Sequence, residues 1–330
     1  MIPRLVLTTG ESAGIGPDVI LQFAQQHNSA DIVVVGCKRT LSERAETLKS
    51  NIHMIPFNSA DPVASHEGGT LKLIDIPLIK PCLPGEPDVK NATQILAQLE
   101  LALSLCKSGD CQAMVTAPIH KSVINAAGFN FSGHTEFLAD RLGVSNPIML
   151  LAASNLKIAL LTTHIPLRSV ADAITPLLLR ETITTLVAGL NSLFCIPKPR
   201  ITVLGLNPHA GEDGYLGEEE LLTIGPVCDE LRAEGIALKG PISADTAFGP
   251  EIRAKTDAYL AMFHDQGLPV IKSESFGDVV NVTLGLPIIR TSVDHGTALS
   301  LAGTGRANSS SLAAAVALAS EMTLSRHQTT

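Results

Sequence analysis

The chain contains no tryptophan, and aromatic residues make up only 3% of it. Indole fluorescence is therefore excluded as an internal reporter. Charged residues are sparse at 17%, against 45% hydrophobic. That balance excludes a disordered chain, whose signature is low hydrophobicity with high net charge. It predicts a large buried interior, with extra apolar surface covered by a partner subunit. Lysine and arginine (24) are outnumbered by aspartate and glutamate (32), for a net charge of −8. No basic stripe is present to displace phosphate counterions, which argues against nucleic-acid binding. Apolar runs such as LAAAVALA fall far short of the roughly eighteen residues that span a bilayer. The opening MIPRLVLTTGE carries one arginine and too short an apolar run for a signal peptide. Cys37, Cys82, Cys106, Cys111, Cys195 and Cys228 form no CxxC pair, as expected of reduced, buried thiols. A globular, cytoplasmic protein is expected, with neither membrane nor nucleic acid as partner.

At 330 residues the chain is long for one core and comfortable for two lobes. The short β-branched runs RLVLTTG, DIVVVG, AMVTAP, IALLTTH, RITVLGL, AYLAMFH and PIIRTSV read as strands. Between them lie amphipathic segments such as DVILQFAQQ, NATQILAQLELALSLCKSG, LLLRETITTLVAGLNSL and GEEELLTIGPVCDELRAEG. This alternation predicts an α/β fold with a mostly parallel, buried sheet. The proline-rich stretch 74–89 reads as an irregular excursion, and no internal repeat is visible.

Ligands of open α/β sheets bind beyond the carboxyl ends of the strands, which turns strand-terminal residues into site candidates. His164 ends IALLTTH, His209 follows ITVLGLNP, and His264 ends AYLAMF. A histidine at such a place is often a hydrogen-bonded structural residue. Three at equivalent ends suit a catalytic metal, because neutral imidazoles are common ligands and three protein donors leave a position open. Their separations match no short metal motif. Asp265 either holds the His264 imidazole or caps the next helix.

Lys272, Asn281 and Arg290 recur at equal spacing and offer an ammonium, an amide and a guanidinium, a set suited to carboxylate and phosphate oxygens. Solvated surface charges are the bland alternative, but Arg290 follows the apolar LPII. His134 and Thr135 in SGHTEF stand where a helix begins, a natural phosphate seat; Thr135 as a plain cap is compatible with that. The first turn, GESAGIGPDVI, has Val19 where a dinucleotide fingerprint needs a third glycine. Pro17 and Asp18 support a tight turn feeding a helix.

With TTGESAGIGPD, TAPIHK, SGHTEF, TTHIPL, LGLNPHAGEDG, SADTAF, MFHDQGLPVIK and SVDHGTALSLAGTGRA in this order, the sequence resembles the 4-hydroxythreonine-4-phosphate dehydrogenase family along essentially its whole length. The resemblance implies a two-lobed αβα fold of the isocitrate/isopropylmalate dehydrogenase type with the active site in the interdomain cleft. Residues 1–125 plus 270–330 would form the cofactor lobe and 126–269 the metal and dimerisation lobe. It further implies a homodimer with a shared active site. The metal ligands would be His164, His209 and His264, one of them donated across the dimer interface, and the substrate contacts His134, Thr135, Lys272, Asn281 and Arg290. The stretch 295–308, with His295, Gly296, Thr297, Gly303 and Gly305, resembles the loop that holds the adenosine of NAD in isopropylmalate-type enzymes, which accounts for the missing glycine fingerprint.

The activity so implied is oxidation of 4-phosphohydroxy-L-threonine, with NAD or NADP and a divalent metal (Zn²⁺, Co²⁺ or Mg²⁺), in pyridoxal phosphate biosynthesis. The product, 2-amino-3-oxo-4-phosphooxybutanoate, loses CO₂ to give 3-amino-2-oxopropyl phosphate. Asp245 and Lys121 are the candidate acid/base groups. Other readings are a catabolic relative acting on another phosphorylated hydroxy acid or a dihydrodiol, a phosphate acyltransferase of similar architecture, and a three-histidine zinc hydrolase.

Overall fold

The computed structural model describes residues 1–275 and 277–329. The chain divides into two compact units, 1–143 with 286–327 and a second centred on 144–285. The crossings fall later along the chain than the expected 125/126 and 269/270. The reason is packing. The His134–Leu142 helix places Leu138 in the same core as Leu96, Leu99 and Met114. The run 280–284 forms a strand paired antiparallel with 148–152. His134 and Thr135 therefore belong to the first unit, and Lys272 and Asn281 to the second.

The first unit contributes β1 (Arg4–Thr8), β2 (Asp31–Gly36), β3 (His53–Pro56), β4 (Thr70–Asp75) and β5 (Ala113–Thr116). The second contributes β6 (Ile148–Ala153), β7 (Leu156–Leu160), β8 (Ile201–Leu204), β9 (Leu238–Ile242), β10 (Ala258–Ala261) and β11 (Val280–Leu284). The chain then returns to the first unit as β12 (Ile289–Val293).

Strands of the first unit run β3-β4-β2-β1-β5-β12, all parallel. Burial explains the continuous apolar runs: every residue of β1, β2, β5 and β12 is buried. The Ala92–Ser108 helix lays Leu96, Leu99 and Leu103 on Val6, Val35 and Met114 and stops at Gly109, which takes the left-handed conformation. In the second unit the order is β11-β6-β7-β10-β8-β9. Its β11/β6 and β6/β7 pairs are antiparallel, and β7/β10, β10/β8 and β8/β9 are parallel. Leu268 and Ile271 of the His264–Glu274 helix pack there with Ile158, Leu160, Tyr259 and Ala261.

All seven expected strands form. β3, β4, β9 and β11 were not anticipated, because each is short, half-exposed or interrupted by a polar residue, as Asn281 interrupts VNVTL. β6, the apolar and largely buried IMLLAA, was missed as well; it carries no β-branched residue beyond Ile148. Residues 77–88 hold neither helix nor named strand, in line with the irregular excursion. No single helix among the described residues is long and apolar enough to cross a membrane.

Candidate active site

β12 carries Arg290. Side chains alternate along a strand. Thr291 bonds its hydroxyl to the Ala315 carbonyl of the C-terminal helix, so Arg290 points to the opposite face. There its Nε and Nη2 donate to Thr116 Oγ1, at 3.2 and 2.7 Å, at the carboxyl end of β5. The arginine is only 2% exposed. Burial pushes its pKa down to about 10, and the Glu136 carboxyl partly opposes that shift. At neutral pH it remains a desolvated cation, a state that favours an arriving anion.

His134 opens its helix in the same unit. Its Nε2 is buried without a partner, while a hydrogen bond links the ring to the Ala117 backbone. Burial first, then the positive charges of Arg290 and Lys121, hold its pKa well below the usual 6.5. The ring is therefore neutral, with one nitrogen unsatisfied. Thr135 is buried beside it. Lys121 is exposed at the start of the Lys121–Ala126 helix. Burial also raises the pKa of Glu11, whose Oε2 is another buried orphan.

The expected cofactor loop is irregular and strapped to the first turn. Ile15 N donates to the Thr297 carbonyl (3.0 Å) and Gly303 N to Asp18 Oδ1 (2.7 Å). Asp18 is buried in an ion pair with Arg44, whose guanidinium also donates to the Gly14 and Ser12 carbonyls. Gln22, one turn after Asp18, accepts from Ser309 N (2.8 Å). His295 Nε2 is buried and unpartnered, while its Nδ1 donates to the Gly296 carbonyl at 2.9 Å. Gly305 lines a cavity of about 430 Å³ together with Asp18, Gln22 and residues 48–51.

In the second unit the imidazoles of His164 and His264 lie with ring centroids 5.7 Å apart. Gly267 makes this approach feasible: a Cβ there would stand 2.7 Å from Ile158 Cγ2, so the helix beginning at His264 sits hard against β7. Two imidazoles sharing one metal at about 2.1 Å have centroids roughly 5–6 Å apart, so the pair fits a shared ion. Asp265 Oδ1 meets His264 Nδ1 at 2.6 Å. Of the two roles open to Asp265, the structure favours holding the imidazole, which leaves Nε2 for a ligand.

His209 is exposed beyond β8, close enough to Asp245 to lower that carboxyl's pKa, though the Ser243 hydroxyl is the larger cause. Among the described residues no group of three or more His, Cys, Asp or Glu in one chain is gathered to hold a metal ion. Lys272 lies in the last turn of the His264–Glu274 helix. Asn281 presents a buried, unpartnered Oδ1 from β11. Sequence reasoning missed Glu136, the acidic neighbour of Arg290, and Glu220, which grips the His209 segment; neither stands in a pattern that separates it from a solvated carboxylate.

The fold is α/β; in its first unit a buried guanidinium suits an anionic ligand, and in its second a close imidazole pair suits a metal ion. The chain belongs to the family of the pyridoxal phosphate biosynthetic protein PdxA, whose model matches residues 28–319. It is 51% identical over 325 residues to a 4-hydroxythreonine-4-phosphate dehydrogenase of Thioalkalivibrio sulfidiphilus, covering 98% of each chain. The crystal structure of the Klebsiella pneumoniae 4-hydroxythreonine-4-phosphate dehydrogenase superimposes with a TM-score of 0.89 at 34% identity, over 98% of both chains. A terephthalate 1,2-cis-dihydrodiol dehydrogenase from Burkholderia xenovorans follows at TM-score 0.66 and 25% identity, covering 97% of this chain and 98% of that one.

Proposed function

We propose that the protein oxidises 4-phosphohydroxy-L-threonine, with NAD or NADP as acceptor and a divalent metal, in pyridoxal phosphate biosynthesis. The observation that carries this reading is the desolvated Arg290 beside the unsatisfied His134, in a chain about half identical to named 4-hydroxythreonine-4-phosphate dehydrogenases. Arg290, His134 and Thr135, with Lys272 and Asn281, bind the phosphate and carboxylate and so fix the secondary alcohol.

His164 and His264, with His209, would hold the metal. His209 is exposed and lies near Tyr215, 89% exposed, and the exposed Leu216, Leu221 and Leu222. An apolar patch of this kind is what a second copy covers, so His209 is the ligand given to the partner of a homodimer. A divalent ion held there would supply Lewis-acid polarisation of a hydroxyl, and a bound dinucleotide would supply the hydride acceptor. Asp245, held as a carboxylate by Ser243, is the candidate base for the hydroxyl proton, with Lys121 the second candidate. The loop 295–308 seats the adenosine end, beside a cavity within the size range of small-molecule sites.

Absorbance at 340 nm with NAD⁺, substrate and a Zn²⁺, Co²⁺ and Mg²⁺ series after chelator stripping tests the activity. A metal-independent reaction with acyl phosphates would replace this reading by an acyltransferase. Oxidation of a dihydrodiol in preference to the phosphorylated substrate would replace it by the catabolic alternative. Mixing inactive His209→Ala with inactive His264→Ala tests the shared site: random dimers of an interface-spanning centre recover about a quarter of wild-type activity, whereas a centre built within one chain recovers none.

A further inference from the structure

The segment that carries His209 has an unusual backbone. His209, Ala210, Gly211, Glu212, Asp213 and Gly214 all have positive φ, at 53°, 53°, 82°, 42°, 56° and 93°. Six consecutive residues with positive φ, four of them with a Cβ, do not persist in an L-chain unless the surroundings impose them. Gly211 is needed where it stands, since a Cβ there would lie 2.7 Å from the Gly217 carbonyl and 2.8 Å from Glu220 Oε2. Backbone bonds close the turn, Leu216 N to Gly211 O (3.0 Å) and Tyr215 N to Glu212 O (3.2 Å).

What anchors the turn is one buried acid. Glu220 is 5% exposed and begins the irregular helical stretch Glu220–Ile224. Its Oε1 accepts from the backbone amides of Leu206 (2.7 Å) and Asn207 (2.8 Å). Its Oε2 accepts from Asn207 Nδ2 (2.9 Å), which also donates to Glu219 Oε2 at 2.6 Å. The two residues that feed the left-handed turn are thus gripped by main chain and side chain together. From the other side, Gln266 donates to the Gly205 carbonyl (2.6 Å) while accepting from Met262 N (2.7 Å). That ties the base of the segment to the helix opened by His264.

We infer that Glu220, acting through Asn207, is the positioning residue for His209. It holds a strained turn in the one conformation that presents this imidazole to a metal. The inference rests on the reading of His209 as a metal ligand. Glu220 touches neither metal nor substrate; it removes the conformational freedom that His209 would otherwise lose on binding.

The test measures Zn²⁺ affinity of the full-length protein by competition with a chromophoric chelator, for wild type, Glu220→Gln, Asn207→Ala and His209→Ala. Amide exchange of the metal-free proteins is followed in parallel. Glu220→Gln turns the Oε2 acceptor into a donor facing Asn207 Nδ2. It is expected to speed exchange across 206–217, to leave β8 and β10 as protected as in wild type, and to weaken Zn²⁺ binding by about 10–100-fold. Asn207→Ala leaves both amides on Glu220 and should weaken binding less; it carries the same test should Glu220→Gln not fold. Faster exchange across 206–217 with wild-type Zn²⁺ affinity overturns the inference and makes Glu220 a purely structural anchor. Wild-type affinity in His209→Ala overturns the ligand reading instead, so the two failures are distinguishable.

Discussion

Replacing Arg290 by methionine should leave the ligand-free protein at least as stable as wild type while destroying its affinity for the anionic substrate. The depression of the Arg290 pKa from its ordinary value to about 10 corresponds to roughly 3 kcal/mol of disfavour for the buried charge. Methionine removes that cost and keeps a long, flexible side chain in the space. Against this stands the loss of its hydrogen bonds, two of them to Thr116 Oγ1, at about 1–2 kcal/mol for each partner left behind. The net effect lies between roughly zero and a gain of about 2 kcal/mol, because the depressed pKa already includes the opposing pull of Glu136. In a unit of this size that amounts to about 2–4 °C in Tm per kcal/mol.

Thermal unfolding of the metal-free proteins, with and without the phosphorylated substrate, reads both halves of the argument. Wild type should gain about 2.7 kcal/mol at a hundredfold excess over Kd, and Arg290→Met should gain nothing at the same concentration. Arg290→Lys should behave like the methionine variant in binding, because an ammonium cannot reproduce a planar fork. A methionine variant that melts well below wild type would show that the guanidinium serves the fold, and the reasoning would be refuted.

Acid should destabilise the first unit through two histidines. Burial is the leading cause that lowers the pKa of both His134 and His66. The unfolded chain therefore takes up protons at pH values where the folded one does not. Their contribution is complete above about pH 6.5 and is lost as pH falls below it, by up to about 1.4 kcal/mol per pH unit for each. The difference between wild type and His134→Gln in urea titrations at pH 5 to 7.5 measures the His134 share, and a constant difference would contradict it. Gln22→Ala, which frees Ser309 N, should raise KM for NAD a few-fold at unchanged KM for the phosphorylated substrate; equal changes in both would separate Gln22 from the cofactor loop. Gly267→Ala, with its Cβ 2.7 Å from Ile158, should cost about 1–3 kcal/mol and weaken Zn²⁺ binding by spreading His164 and His264. Unchanged Zn²⁺ affinity would count against close packing as the cause of that pairing.

Much of this was legible in the residues. Apolar runs ending in His, Thr or Gly marked the core strands, since a strand buried on both faces needs no alternation. Arg290 stood out because a guanidinium after LPII has no solvent to enter. The division of the chain was harder to read. Asn281 interrupts VNVTL, which hides a strand, and only its pairing with β6 assigns 280–284 to the second unit. Glu220 was invisible for a different reason. In GEEE it resembles any acidic helix start, and only the fold shows that its carboxyl group turns inward onto the amides of 206 and 207. The left-handed run at His209 is equally silent, because its residue types include Ala210 and Glu212, which do not favour that conformation.

The two units prepare for ligands by opposite means. In the first, the cost lies in solvation: Arg290 and His134 are withdrawn from water before any ligand arrives, so an anion that reaches them meets groups with little hydration left to lose. In the second, the cost lies in conformation. His209 stays exposed, and the chain beneath it is held in a left-handed turn by Glu220 and Asn207. The difference follows from the ligands each set of residues suits. Phosphate and carboxylate are large, strongly hydrated anions, and a dry cation discriminates for them through charge. A metal ion accepts many donors and is selected by donor geometry, which a fixed backbone supplies better than a buried charge. Substitutions at Arg290 should therefore act through electrostatics, with stability and affinity moving in opposite directions. Substitutions at Glu220 should act through order, with amide protection and affinity falling together.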